Sequence, residues 1–137
     1  MKQQRIQAGF VLVLAVIMAL AFQVLSGLAL QPPPTHYLKI VKVNSKWLVV
    51  QEGDTLTGPV SVQRGEKVVW TSDSSDVFFQ FLDSKLFGGF TKKLKAGHRL
   101  TLVVGNAAKR GINYYAVFVL KDQQFAEGGS PPAVVVN

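Results

Sequence analysis

The sequence predicts an all-β domain, an antiparallel two-sheet sandwich, preceded by one apolar segment long enough to cross a membrane. Three observations predict it. From Tyr37 onward apolar and polar residues alternate with a period of two, the pattern of half-buried strands. Runs rich in Val, Phe, Tyr and Trp recur roughly every eight to twelve positions between turn residues, as in a sandwich or barrel. No stretch after Pro34 keeps a helical period, apart from a turn around Asp83–Phe87.

The chain has 137 residues, no cysteine and a formal charge of +7. Once the apolar segment is set aside, enough remains for one domain and too little for two. Without cysteine there is no disulfide, thiolate metal site, cysteine nucleophile or lipidated cysteine. The positive charge makes an acidic surface a natural partner, whether lipid or protein.

Residues 1–7 carry Lys2 and Arg5 and no acid, and residues 8–30 carry no charge at all. As a helix at ~1.5 Å per residue that stretch reaches ~35 Å, more than a hydrocarbon core of ~30 Å. The flanking cations place residues 1–7 in the cytoplasm. Two readings stand for this segment. Phe10–Phe22 has the length of a secretion signal, and Gly27-Leu28-Ala29 offers small residues for cleavage. The total span, with Leu28 and Leu30 continuing the apolar run, favours a retained anchor. Residues 31–36, with Pro32-Pro33-Pro34, read as a stiff extended spacer, and residues 37–137 as the β-domain.

Strands are expected at Tyr37–Val43, Trp47–Gln51, Val60–Gln63, Lys67–Thr71, Val77–Phe81, Arg99–Val104, Asn113–Leu120 and Ala133–Val136. Turn residues separate them at Asn44-Ser45-Lys46, Arg64-Gly65, Thr71–Ser75, Gly88-Gly89, Gly105–Gly111 and Glu127–Pro132.

The series Val60-Ser61-Val62-Gln63-Arg64-Gly65-Glu66-Lys67-Val68-Val69-Trp70 resembles the V-x-V-x-x-G-x-x-V-x-W opening of cupredoxin-like domains. Lys95-Ala96-Gly97, Leu100–Val104, and Gly111 followed by Tyr114-Tyr115 are similar to the closing half of that fold. The resemblance implies a Greek-key sandwich. It does not carry the copper ligands. A blue-copper site needs two imidazoles and a thiolate. The loop after Trp70 reads Thr71-Ser72-Asp73-Ser74-Ser75-Asp76, without histidine. The segment after the Tyr-rich strand, through Phe125, holds no Cys, His or Met. No cofactor is therefore expected.

Other chemistry is sparse. His36 and His98 are the only histidines, and a shared metal site would need distant segments to converge with carboxylates. Asp73, Asp76 and Asp83 lack the spacing of a calcium loop and read as turn residues. No Gly-x-Ser-x-Gly elbow or phosphate loop is present, so no enzyme is expected.

Two surfaces remain. Lys92, Lys93, Lys95, Arg99, Lys109 and Arg110 form either a patch for an anionic partner or lipid, or ordinary solvated loop charge. The strand from Ile112 is apolar on both faces, with Ile112, Tyr114, Ala116, Phe118 and Leu120 on one and Tyr115, Val117 and Val119 on the other. We expect the first face to be the core. Phe78, Tyr115, Val117 and Val119 are then either a docking surface or covered by a loop of the same chain. The expectation is a single-pass protein of the cytoplasmic membrane, its domain periplasmic or extracellular, binding other subunits of a membrane complex and no nucleic acid. The rival is a soluble periplasmic protein, released by signal cleavage, that binds a small ligand or metal.

Overall fold

In a computed structural model, which describes residues 31–53, 57–128 and 131–137, ten strands form two sheets. They are β1 (Thr35–Val43), β2 (Lys46–Gln51), β3 (Val60–Val62), β4 (Lys67–Ser72), β5 (Val77–Phe81), β6 (Thr91–Leu94), β7 (Arg99–Val103), β8 (Gly111–Val119), β9 (Gln124–Phe125) and β10 (Ala133–Val136), with one helical turn, α1 (Ser84–Phe87), between β5 and β6. The first sheet runs β2-β1-β4-β7, and the second β3-β10-β8-β5-β6 with β9 beside β8. The unit built from them spans residues 33–137. The proposed cytoplasmic tail and anchor, residues 1–30, lie outside the described residues. Among the described residues no helix is long and apolar enough to cross a membrane.

Local chemistry accounts for the turns. Val43 pairs with Lys46 across Asn44 and Ser45, both at positive φ, as a two-residue hairpin loop of the primed type requires. The Asp83 side chain accepts a hydrogen bond from the Lys85 N–H and caps α1, and Gly88 closes the turn in the left-handed region. Gly105 has a steric reason to be glycine. Its N–H donates to the Leu86 carbonyl, and a Cβ there would stand 2.1 Å from the Lys85 oxygen.

The all-β expectation holds, but the sheets are mixed and not antiparallel. β1 pairs parallel with β4, and β3 parallel with β10. Parallel neighbours need a crossover connection. The chain makes it by leaving the first sheet after β2, adding β3 to the second, and returning as β4. The strand β6, Thr-Lys-Lys-Leu, has weak β-propensity and was not expected, nor was the two-residue β9. As an edge strand β6 gains from its lysines, which discourage pairing with another chain. The spacer is shorter than expected, because Thr35 and His36 already belong to β1. The Lys67 N–H donates to the Pro34 carbonyl, drawing the strand start inward.

The core centres on Trp70, fully buried on β4. Its ring meets Phe79 and Phe87 edge-on, with centroids at 5.4 and 5.3 Å, and Tyr115 at 6.0 Å. Its indole N–H donates to the Tyr115 hydroxyl across the sheets. This corrects the expected faces of β8. Tyr115, Val117 and Val119 are core residues, between 0 and 3% exposed. The opposite face looks outward: Ile112, Tyr114 and Leu120 are exposed, and Ala116 and Phe118 half-buried. Of the four proposed docking residues only Phe78 lies on the surface.

The two faces of β8 should therefore respond oppositely to substitution. Val117→Lys would bury an unpaired ammonium and unfold the domain or cost several kcal/mol. Phe118→Ala should cost less, about 1–2 kcal/mol, because its ring is only half-buried on the outer face. Thermal unfolding of the two variants of residues 35–137 measures the difference.

Candidate functional site

The outer face of the second sheet is the most unusual surface among the described residues. A solvated sheet face normally carries polar side chains. Here β8 presents Ile112, Tyr114, Ala116 and Phe118, β5 adds Phe78, and β9 adds Phe125 at 65% exposure. β9 pairs Phe125 with Phe118, and their rings meet edge-on at 5.2 Å. Ala116 is the small residue in this row. It leaves a groove of about 210 Å³ bordered by Phe78, Phe118 and Phe125, with Gln80 and Thr91 as its polar side chains. A second hollow of about 250 Å³ continues it past Gln80 and Ala116 to Leu82, Tyr114 and Pro131. At the rim the Lys93 ammonium lies 5.1 Å above the Phe78 ring and 3.5 Å from Asp76. Such a face can bury apolar surface.

The loops that would hold copper in a cupredoxin meet at one pole, where β5 begins and β8 ends. There Ser72 donates to the Ser75 carbonyl, Ser75 to the Asp76 carbonyl, and the Lys121 N–H to the Ser75 hydroxyl. Asp76 accepts the Ala96 N–H. Hydroxyls and a carboxylate thus tie the loops together. They do not fit a type 1 copper ion, which requires a thiolate and imidazoles. His98 lies exposed near this pole, and its ring nitrogen is 3.0 Å from the Ala96 carbonyl. His36 is level with Leu102 on β7, roughly 13 Å farther along the sheet at ~3.3 Å per residue. It sits 2.7 Å from Glu66, clasping the start of β1 to the β3–β4 turn. The two histidines share no site. Among the described residues no three potential metal-binding side chains of His, Cys, Asp or Glu come together.

The six basic residues grouped by sequence are divided in space. Lys92 and Lys93 lie on β6, while Lys95 and Arg99 flank the turn beyond it. Lys109 and Arg110 precede β8 at the other end, and β8 alone is roughly 27 Å long at ~3.4 Å per residue. Sequence proximity across Lys92–Arg99 reflects a strand and turn climbing one side of the sandwich. The signal for the outer apolar face was present in the sequence, in the two-sided apolar pattern of β8. Ala116 was grouped with the right face of β8, though that face was expected to be the core, and Phe125 was missed because β9 is too short for a periodic signal.

No protein-family model matches the sequence, and no curated protein matches it. Among solved structures the chain is similar to a crystal structure of Fet3p, a multicopper oxidase that functions in iron import. The two share 10% identity, with a TM-score of 0.45, over 75% of this chain. The aligned part spans 22% of that oxidase.

Three carboxylates are held below their ordinary range. Glu66 accepts the Gln63 N–H and then the His36 contact. Asp76 accepts the Ala96 N–H and lies near Lys93. Asp122 pairs with Lys42 and accepts the Trp47 indole N–H. Burial instead pushes the Tyr115 hydroxyl above its ordinary value, so it stays neutral in the core. A depressed carboxylate stabilises the fold above its unfolded pKa of ~4, and that contribution is lost as pH falls through the folded value. The unfolding temperature should therefore drop below about pH 4, with a smaller acid-dependent drop in Asp122→Asn. Adding Cu(II) to the protein should give no intense thiolate-to-copper absorption band.

Proposed function

We propose that the protein is a membrane-anchored, cupredoxin-like subunit without copper, and that it binds another subunit of a membrane complex outside the cytoplasm. The observation carrying this reading is the row Phe78, Phe118 and Phe125 around Ala116. It is an apolar groove on a sheet face with no covering element among the described residues. The occupant is a protein surface of apolar side chains edged by carboxylates. A chain charge of +7 favours acidic over basic edges. The V-x-V-x-x-G-x-x-V-x-W series, realised as β3, its turn and β4 within two packed sheets, supports the cupredoxin-like assignment. The charge-free residues 8–30 support the anchor. A binding role, and not catalysis, suits a face whose only polar groups in the groove are an amide and a hydroxyl.

The test is purification of the full-length chain in mild detergent, beside variants Phe118→Asp and Phe125→Asp. Phe125→Asp should retain the parent unfolding temperature within a few degrees and Phe118→Asp should lower it while leaving the domain folded, yet both should lose a co-purifying subunit that the parent and Tyr37→Asp retain. Equal recovery of that subunit by all four proteins would sink the assignment of this face. A mature chain beginning at Leu30 would sink the anchor.

A further inference from the structure

An open sheet edge offers unpaired backbone N–H and C=O groups, and chains that stay single guard it. Among the described residues three of the four edges are guarded. β2 is covered by the segment after β9: the Val49 N–H donates to the Glu127 carbonyl, and the Glu127 N–H to the Trp47 carbonyl. β3 has only three residues, and β6 carries Lys92 and Lys93. The fourth edge is β7, five residues reading Arg-Leu-Thr-Leu-Val. It pairs with β4 and, among the described residues, with nothing else. No lysine, proline or acid interrupts it.

The direction of its backbone groups follows from one contact. Val104, just beyond β7, donates to the Glu66 carbonyl and accepts the Gly65 N–H, so its backbone groups face β4. Direction alternates along an antiparallel strand. Leu102 and Leu100 therefore also turn to β4, and Arg99, Thr101 and Val103 turn their N–H and C=O groups to the open edge. The side chains alternate as well. Arg99, Thr101 and Val103 are exposed, Val103 at 51%. Leu100 and Leu102 pack against the core but stay half-buried. A strand beside β7 would cover them.

The strand is complementary to itself. In a two-fold antiparallel pair centred on Thr101, Thr101 meets its own copy, Leu100 meets Leu102, and Arg99 meets Val103. The two Arg99 residues then stand roughly 13 Å apart along the pair, beyond the ~10 Å screening length at 0.1 M salt. Each arginine stem lies beside a valine. The outward groups of residues 99, 101 and 103 exchange about six backbone hydrogen bonds. We propose that β7 binds a second copy of this chain by antiparallel β7–β7 pairing centred on Thr101, which joins two four-stranded sheets into one. Neither the anchor nor the groove on β8 enters this inference. A strand of another protein would have to match Arg99, both leucines and Val103, and a second copy already does.

The chain has no cysteine, so single cysteines read the register directly. Opposed Cα atoms at such a hydrogen-bonded pair lie about 5.5 Å apart, within the ~4.4–6.8 Å range of a disulfide. Full-length Thr101→Cys, purified in mild detergent and oxidised with diamide, should run mostly as a disulfide-linked dimer on a non-reducing gel. Ser61→Cys, on the exposed side of β3, should stay single. Arg99→Cys and Val103→Cys should each stay single, while the double variant should cross-link. Adding Val103→Lys to Thr101→Cys sets a lysine opposite Arg99 of the other copy. It should abolish the cross-link and leave the unfolding temperature within a few degrees, since Val103 is exposed. A folded Thr101→Cys chain that stays single overturns the inference, as does a double variant that stays single. Cross-linking of Ser61→Cys to the same extent, or indifference to Val103→Lys, overturns it too, because contact would then be indiscriminate or in another register.

Discussion

The hydrogen bond from the Trp70 indole N–H to the Tyr115 hydroxyl, at 3.3 Å between the sheets, is the constraint on which the rest depends. Trp70 is fully buried, and a buried indole N–H without an acceptor would cost free energy. Tyr115 supplies that acceptor only if its side chain points inward. Side chains alternate strictly along a strand, so this one choice turns Asn113, Val117 and Val119 inward as well. It also turns Ile112, Tyr114, Ala116 and Phe118 outward. The candidate binding face is thus set from inside the core.

The polar groups brought inward are all provided for. Asn113 donates to the Lys109 and Gly111 carbonyls, holding the loop before β8 against the strand. Ser72 and Ser75 bond to backbone and join the loops at the far pole. Among the described residues no buried side-chain nitrogen or oxygen lacks a partner. The buried polar side chains are thus held by partners within the fold. The edges fit the same picture. Lys92 and Lys93 on β6 keep the sheet edge from pairing, while the uncharged row on β8 stays available.

Much of the fold was legible in local pattern. The strand expected at Val77–Phe81, rich in aromatic residues between turn residues, matches the structure at both ends, and Asn44-Ser45 carries the chemistry its turn demands. β6 and β9 were illegible for different reasons. Lysine disfavours strands intrinsically, and β6 forms because β5 offers it a partner. β9 has two residues, fewer than one period. The candidate site was only half legible. Phe78 was correctly placed outside, but the faces of β8 were exchanged, because both are apolar and hydrophobicity alone cannot rank them.

By itself the sequence determined that strands form from Tyr37 onward, that no thiolate can bind copper, and that residues 8–30 carry no charge. Those properties belong to single residues or to the period of a single segment. Tertiary structure alone decided that β1 lies parallel to β4, that Tyr115 faces Trp70, and that Phe125 comes to lie beside Phe118. Each of these depends on contacts between separate segments of the chain, and the energy of such a contact exists only once both partners are in place.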